Sequence, residues 1–198
     1  VDLEACRRLG MPVLRRLTGG TGVIHQGDLG LSLALPAGHP WTEGIVGLYG
    51  RFLEVLAPAL VAAGAAVARL AEPVRSSRVR SPICFEDQLA DTLVVDGRKA
   101  VGCAQVRRRG AVLVHAAVLC GLDAERYAAV FRVEAERVRR GLAAALEPAR
   151  RAEAAGHLVR GLAAALAAEP VEAGEPRPGP EHLAPYATPR WQPLPLDR

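Results

Sequence analysis

The stretch TLVVDGRKAVGCAQVRRRGAVLVHAAVL, residues 92–119, decides the fold. Three apolar runs within it predict the strands of an antiparallel meander, over residues 92–95, 99–106 and 111–119. The Asp96–Gly97 pair between the first two runs is typical of a type I′ hairpin turn, and residues 108–110 form the second turn. The meander places Lys99 near its first turn and His115 on its last strand.

Upstream of this stretch, strand and helix patterns alternate around a glycine-rich loop. The predicted elements are a helix that stops at Gly10, a strand over 12–17, the glycine-rich loop 18–22, a strand over 29–35 and a helix over 42–70. Pro58 is expected to bend or divide the last helix, because proline removes an intrahelical hydrogen bond. Residues 71–83 are rich in proline, serine and arginine, and they predict a loop that delivers Cys84.

Downstream of the meander the sequence is predominantly helical and then rich in proline. Asp123 is a predicted N-cap, and helical composition continues to Ala168 with an interruption expected at Pro148. We therefore assign residues 1–168 to one domain and residues 169–198 to a Pro-rich tail, expected to be extended or disordered. Trp191 is predicted to pin that tail to a groove.

The composition limits the classes of function. The chain has 198 residues, 50% of them hydrophobic and 23% charged, which is ordinary for one globular domain. The longest apolar run, residues 57–68, is shorter than the ~20 residues that cross a bilayer, and no signal sequence is evident, so we expect a cytoplasmic protein. A net charge of +4 and 4% aromatic residues do not indicate nucleic-acid binding. The cysteines form no Cys-x-x-Cys pair and the histidines lack ligand spacing, so no metal site is expected.

Two residues carry the sharpest chemical signal. Lys99 is the single lysine among 25 Lys and Arg residues, and Cys84 precedes it by fifteen positions in a Pro-Ile-Cys-Phe segment. A nearby ammonium favours the thiolate, which is the nucleophile in acyl transfer. The alternatives are a buried structural cysteine and a lysine that remains on the surface by chance.

Other segments have both a functional and a structural interpretation. The glycines beside Arg16 and His25 would let a ligand lie against the backbone, although a plain tight turn has the same composition. The run Arg107–Arg109 is either a solvated turn or a docking patch for an acidic carrier protein or a phosphate. His115 is either a hydrogen-bonded structural histidine or a catalytic one.

Taken in order, these segments resemble the biotin/lipoate protein ligase family, lipoate-protein ligases A and B, and most closely its cysteine-dependent octanoyltransferase branch. The resemblance covers about residues 1–125. It rests on Arg15-Arg16-Leu17-Thr18-Gly19-Gly20 through His25, on Asp28-Leu29-Gly30-Leu31-Ser32, on Pro82-Ile83-Cys84-Phe85 and on Gly97-Arg98-Lys99-Ala100-Val101-Gly102-Cys103-Ala104-Gln105. The resemblance implies an α+β fold of the class II aminoacyl-tRNA synthetase/biotin synthetase type, a mixed, antiparallel-rich sheet packed by helices.

The resemblance also implies a reaction and a set of site residues. Cys84 would accept an octanoyl or lipoyl group from acyl carrier protein as a thioester, with Lys99 holding the thiolate. The acyl group would pass to a lysine of a lipoyl carrier domain, such as glycine cleavage H protein or a 2-oxoacid dehydrogenase E2, with no cofactor required. The residues implied in substrate binding are Arg16, Gly19, Gly20, His25, Gly102, Ala104 and His115.

Two alternatives remain open at this point. One is a lipoate-protein ligase that uses ATP and Mg, and the other is a non-catalytic relative that binds an acyl group or a carrier domain. The chain departs from the family pattern at Cys103, where serine is usual, at Ala116, which follows His115 in place of glycine, and at Thr21. We also expect that the family's N-terminal strand-containing segment is missing from this chain.

Overall fold

The structure is a computed structural model that describes residues 1–73, 81–171 and 179–192. The helices are α1 (Leu3–Arg8), α2 (Ile45–Ala62), α3 (Ala124–Phe131), α4 (Ala135–Gly141), α5 (Arg151–Ala165) and α6 (Pro180–Leu183), and short 3₁₀ turns occupy Pro40–Thr42, Pro148–Arg150 and Ala184–Tyr186. The strands are β1 (Leu29–Pro36), β2 (Ala68–Arg69), β3 (Leu93–Val95), β4 (Arg98–Lys99), β5 (Val101–Arg108) and β6 (Ala111–Val118). This combination of helices and antiparallel strands is the α+β fold that the sequence predicts.

The central sheet has the strand order β1-β6-β5, with both pairs antiparallel. Its β5–β6 hairpin turns through Arg109 and Gly110, which both have positive φ as a type I′ turn requires. The predicted Asp96–Gly97 turn has the same signature, with φ of 50° and 73°. Both hairpin turns that the sequence predicts are therefore confirmed.

The meander itself is only partly confirmed, because its middle strand changes partners at Ala100. Before this residue, β4 pairs with β3 in a small sheet of order β2-β3-β4, whereas β5 pairs with β6 in the central sheet. The Ala100 N–H donates to Leu93 O at 3.1 Å, and the Ala100 carbonyl accepts from Leu119 N–H at 3.0 Å. Ala100 is fully buried, so this backbone crossing lies inside the core.

One face of the central sheet is covered by α2 and α5. The residues of α2 that repeat at four-residue intervals are fully buried: Leu48, Phe52, Leu56 and Leu60. Within the described residues, α2 is a helix long and apolar enough to cross a membrane. Its four buried residues nevertheless pack with the central sheet in the larger hydrophobic core, called the main core below. Pro58 lies inside α2 without dividing it, which corrects the expected break.

The opposite face of the sheet is covered by α1, α3, α4 and the loop around Cys84. The structure confirms Asp123 as N-cap, since its carboxylate accepts from Arg126 N–H at 3.0 Å. The long helix predicted after it is broken, because Arg132 adopts φ of 55° beyond α3 and residues 142–147 are not helical. The strand predicted over 12–17 is also wrong, and the segment runs as irregular chain with one bridge position at Val13.

The tail is not wholly extended where the structure describes it, since α6 and a 3₁₀ turn lie within residues 179–192. Trp191 is the attachment point, as predicted: its carbonyl accepts from Arg15 N–H at 2.7 Å. Tyr186 packs edge-on against Trp191 with ring centroids 5.3 Å apart. Residues 172–178 and 193–198 of the predicted tail lie outside the described residues.

Candidate active site

The site lies on the sheet face opposite α2, above a row of small residues. Gly30, Ala117 and Gly102 are cross-strand neighbours on β1, β6 and β5. A Cβ on Gly102 would approach the Phe85 ring to 2.9 Å, and Phe85 is fully buried. The small row therefore leaves space for the Phe85 ring. Phe85 in turn packs the Cys84 loop, residues 81–87, against the sheet.

The glycine-rich loop and the Cys84 loop are joined by their backbones. Gly22 N–H donates to Pro82 O and Cys84 N–H donates to Gly22 O, both at 2.9 Å. Gly20 approaches the thiol more closely still, because a Cβ there would lie 3.1 Å from Cys84 Sγ and would collide with the Arg16 guanidinium. Gly20 also has φ of 106°, a conformation that L side chains rarely adopt.

Arg16 is the residue that contacts the sulfur. Its Nη2 lies 3.7 Å from Cys84 Sγ and donates to Thr21 O at 3.0 Å. The second bond ties the guanidinium to the glycine-rich loop, so the charge is held in place beside a thiol that is partly exposed. The guanidinium is therefore placed to stabilise negative charge on a group that binds or forms beside the sulfur.

Lys99 lies beneath the loop and is only 8% exposed. Its Nζ donates to Cys84 O at 3.1 Å and to Asp87 O at 2.8 Å, and it sits 5.5 Å from the centroid of the Phe85 ring. Burial lowers the pKa of Lys99, while the thiols of Cys84 and Cys103 and the Asp87 carboxylate oppose that shift. Lys99 and Cys84 are thus brought together as expected, through a backbone carbonyl of the cysteine.

His115 is held next to the glycine-rich loop by a hydrogen bond between its Nε2 and Thr18 Oγ1 at 2.8 Å. Ala104 on β5 and Ser32 on β1 are its cross-strand neighbours. Burial lowers the pKa of His115, and the charges of Arg16 and His25 lower it further. Because its pKa is lowered, the His115 imidazole is neutral near pH 7.

Two residues of the predicted set are less closely engaged. His25 contacts Asp28, with Nδ1 and Oδ2 at 3.1 Å, and its side chain is 69% exposed while that of Asp28 is 3% exposed. A Cβ on Gly19 would meet nothing within 4 Å. Gly19 is therefore not required for close packing in this structure, whereas Gly20, Gly22 and Gly102 are.

Cys103 belongs to the other side of the sheet, where it packs against the main core. Burial raises the pKa of Cys103 to about 12, and the Lys99 charge opposes that shift. Tyr49 on α2 lies in the same region, and burial raises the pKa of its phenol although a hydrogen bond from Gln105 opposes this. The Cys103 thiol is therefore protonated near neutral pH, which disfavours it as a nucleophile.

Sequence reasoning missed a buried acid two residues after Cys84. Glu86 is 7% exposed and binds Arg137 of α4 through two hydrogen bonds, Nε to Oε1 at 2.7 Å and Nη2 to Oε2 at 2.6 Å. Ser81 donates its hydroxyl hydrogen to the same carboxylate. The one sequence signal for it is that Glu86 follows the apolar residues Ile83 and Phe85, which are themselves expected to be buried.

The arginine run at the β5–β6 turn divides into two roles. Arg107 donates to Thr42 O at 2.7 Å and also to Gly44 O, so it fastens the entry to α2. Arg108 and Arg109 are exposed at the hairpin tip. The docking-patch interpretation therefore applies only to the latter two.

The structure thus brings a glycine-rich loop, a part-exposed cysteine and a buried lysine together on one face of an α+β domain. Residues 1–157 match the family model for the lipoyl protein ligase A/B catalytic domain. The chain belongs to this family.

Curated relatives include octanoyltransferases. Octanoyltransferase LipM of Geobacillus kaustophilus is 36% identical over 148 residues, covering 72% of this chain and 53% of that protein. Octanoyltransferase LipM of Kyrpidia tusciae is 34% identical over 215 aligned positions, covering 96% of this chain and 77% of that protein. The chain thus spans about half the length of the first relative and about three-quarters of the second.

Solved structures share the fold. A lipoate-protein ligase A bound with ATP superposes with a TM-score of 0.66 at 24% identity, over 87% of this chain and 66% of the other. A bipartite lipoate protein ligase from Thermoplasma acidophilum, studied with its E2 lipoyl domain, gives a TM-score of 0.65 at 23% identity, over 87% and 65% of the two chains. These likenesses confirm the α+β fold expected from the sequence.

Proposed function

We propose that this chain is a cytoplasmic octanoyltransferase of lipoate biosynthesis, which moves an octanoyl group from acyl carrier protein to a lysine of a lipoyl carrier domain through a Cys84 thioester. The observation that carries the proposal is that the Cys84 thiol lies beside the Arg16 guanidinium and the turn at Gly20, while the buried ammonium of Lys99 donates to the Cys84 carbonyl. The named relatives are octanoyltransferases, which supports the same acyl group.

In the first step the Cys84 thiolate attacks the carbonyl carbon of the octanoyl thioester on the carrier. A new carbon–sulfur bond to Cys84 forms, the bond to the carrier thiol breaks, and the departing thiolate takes up a proton. Lys99 and Arg16 supply positive charge beside the developing oxyanion, which is the usual means of lowering the barrier to acyl transfer.

In the second step the neutral amine of the acceptor lysine attacks the Cys84 thioester. An amide bond forms and the carbon–sulfur bond breaks, so that Cys84 departs as the thiolate. The proton lost by the amine passes to solvent and balances the proton taken up by the carrier thiol in the first step. A thioester is reactive enough to acylate an amine without ATP, so the proposed reaction requires no cofactor and no metal.

The other predicted residues are proposed to bind the acyl group along the sheet face. The Thr18–His115 hydrogen bond and the cross-strand neighbour Ala104 form the floor of that path, with Gly102 and Phe85 at its inner end. Gly19 and His25 are proposed to line its outer rim, where the side chain of His25 is exposed. The exposed Arg108 and Arg109 are proposed to steer the acidic acyl carrier protein.

The test is a complete transfer assay on the whole chain. Octanoyl-acyl carrier protein and an unmodified lipoyl domain are incubated with the protein without ATP, and the mass of the lipoyl domain is followed. One added octanoyl group, absent with Cys84→Ser, is expected. AMP release from lipoate and ATP, with no transfer from the carrier protein, would replace the proposal with the ligase, and binding without any transfer would replace it with the non-catalytic relative.

A further inference from the structure

Glu86, which is buried, and Arg137, which is exposed, form an ion pair next to the loop that contains Cys84. The Glu86 side chain is 5% exposed and that of Arg137 is 44% exposed, and two hydrogen bonds of 2.7 and 2.6 Å join them in the bidentate geometry that carboxylate and guanidinium favour. The Glu86 contact raises the pKa of Arg137. A carboxylate placed this deep needs such a partner, because an unpaired buried charge is costly.

The same carboxylate closes the turn that contains Cys84. The Ser81 hydroxyl donates to Glu86 Oε2 and accepts from Ile83 N–H at 3.0 Å. Glu86 N–H in turn donates to Ile83 O at 3.1 Å. Cys84 therefore lies inside a short hydrogen-bonded ring whose only charged member is Glu86, and Arg137 fixes that member from outside the loop.

The segment from Arg137 to Ala143 also holds the lysine strand. Lys99 and Leu142 form a parallel bridge, Ala143 N–H donates to Lys99 O at 3.1 Å, and Leu142 is fully buried. Lys99 Nζ then returns to the Cys84 loop through Cys84 O and Asp87 O. The segment 137–143 thus binds the Cys84 loop through Arg137 at one end, and it binds β4 through its backbone contacts with Lys99 at the other end.

We propose that the Glu86–Arg137 pair is a positioning pair, which sets the Cys84 thiol relative to Lys99 and Arg16 through the loop turn. This inference rests on the proposed function for its catalytic meaning, while its structural content concerns the reactivity of Cys84 itself. Neither residue touches the sulfur, so both act through the backbone of residues 83–87.

The test measures alkylation of Cys84 by iodoacetamide across pH, in wild type, Arg137→Met and the double variant Glu86→Gln/Arg137→Met. The double variant removes both charges together, so the net charge near the thiol is unchanged and only the ion pair between residues 86 and 137 is lost. Cys103→Ser is present in every protein, so that Cys84 alone reports among the thiols near Lys99. The titratable groups around Cys84 from each packed element are Arg16, Tyr49, Asp87, Lys99, Cys103, His115 and Tyr127.

The expected result is a higher alkylation midpoint in both variants, because the freed loop moves the thiol away from its two cations, and an octanoylation rate lower by at least about tenfold. Arg137→Lys should restore part of the rate. The matched control is Arg139→Met on the same helix, which breaks an exposed pair with Glu125 of 2.6 Å and should leave both readouts within about twofold of wild type.

A double variant that alkylates with the wild-type midpoint, while its folded state is confirmed by urea denaturation, overturns the positioning role. If wild type takes no octanoyl group from the carrier protein, the proposed function fails instead. The alkylation midpoints still decide the positioning question in that case, because they need no acyl substrate.

Discussion

At the scale of single residues, Gly20 lies so close to the Cys84 thiol that an added Cβ would stand 3.1 Å from Cys84 Sγ. The glycine has φ of 106°, and the absence of a Cβ leaves room for the Arg16 guanidinium, which lies beside both Gly20 and the sulfur. Gly19, one residue earlier, has open space where a Cβ would stand. The two neighbouring glycines therefore have different physical reasons for being there, and substitution can separate them.

Gly20→Ala is expected to lower octanoyl transfer at least about tenfold, because the new methyl displaces Arg16 and disturbs the reactive geometry. The positive φ adds a strain of about 1–3 kcal/mol to the folded state. Gly19→Ala adds a methyl that meets nothing within 4 Å and should lower transfer less than Gly20→Ala does. Equal losses in the two variants, measured as initial rates, would contradict the role assigned to Gly20.

His115 makes stability depend on pH. Its folded pKa lies below the unfolded value of about 6.5, so the unfolded chain binds the proton more readily and stability falls as pH drops through that value toward the folded pKa. His115→Gln should therefore shrink the drop in Tm between pH 7.5 and pH 5 by roughly 2–4 °C. A drop in Tm of the same size in His115→Gln as in wild type would contradict this linkage.

Part of the candidate site could be predicted from the sequence. The residues alone leave Cys84 and Lys99 open between a functional and a structural interpretation, and the resemblance to the family favours the functional one. The structure brings the Lys99 ammonium to the Cys84 carbonyl. The contact of Arg16 with the sulfur was not predicted, since the register of two loops is set by the Gly22–Ile83 bridge, which joins residues far apart in sequence. Glu86 was missed because its burial depends on Arg137, a residue of another element.

At the scale of elements, the β5–β6 hairpin and the Cys84 loop are fitted together through Gly102. The row Gly30–Ala117–Gly102 has almost no side-chain volume, and the Phe85 ring fills the space above Gly102. The position of the Cys84 loop thus depends on Gly102, which has no side chain.

Gly102→Ala is expected to reduce the free energy of unfolding by about 1–3 kcal/mol, because a methyl 2.9 Å from Phe85 overpacks a buried contact. Gly30→Ala in the same row meets nothing within 4 Å and should be neutral or slightly stabilising. Urea denaturation of both variants measures the difference, and similar midpoints would argue against the fit of Phe85 described above.

Local signals were sufficient for some elements and insufficient for others. Turn chemistry at Asp96–Gly97 and Arg109–Gly110 correctly located both hairpins. The switch of the middle strand at Ala100 was not predictable, because it is decided by which sheet lies on either side of a small buried residue. The breaks between α3, α4 and α5 likewise follow from tertiary packing in an alanine-rich stretch with uniform helical composition.

At the scale of the whole molecule, the tail is joined to the segment that leads into the glycine-rich loop. Arg15 donates from its backbone to Trp191 O at 2.7 Å and from Nε to Arg190 O at 2.9 Å. Leu14 and Leu17 line one side of a groove whose other side is formed by Tyr186 and Trp191. The neighbouring Arg16 contacts Cys84, so the tail is attached one residue away from the site.

Trp191→Ala is expected to release this attachment, because the ring supplies the apolar contact and the Tyr186 packing that hold the tail. Trypsin should then cut after Arg190 at least about threefold faster. Val171→Ala, at an 85% exposed position, is the control and should leave the cutting rate unchanged. An unaltered rate in Trp191→Ala would show that the ring does not hold the tail.

The central claim is that Cys84 carries the acyl group, and the intact mass of the protein after incubation with octanoyl-acyl carrier protein tests it most directly. The account predicts one octanoyl adduct that hydroxylamine removes, that Cys84→Ser prevents and that Cys103→Ser retains, since the Cys103 thiol has a pKa of about 12. An adduct that persists in Cys84→Ser, or wild-type protein that stays unmodified while folded, would contradict the claim.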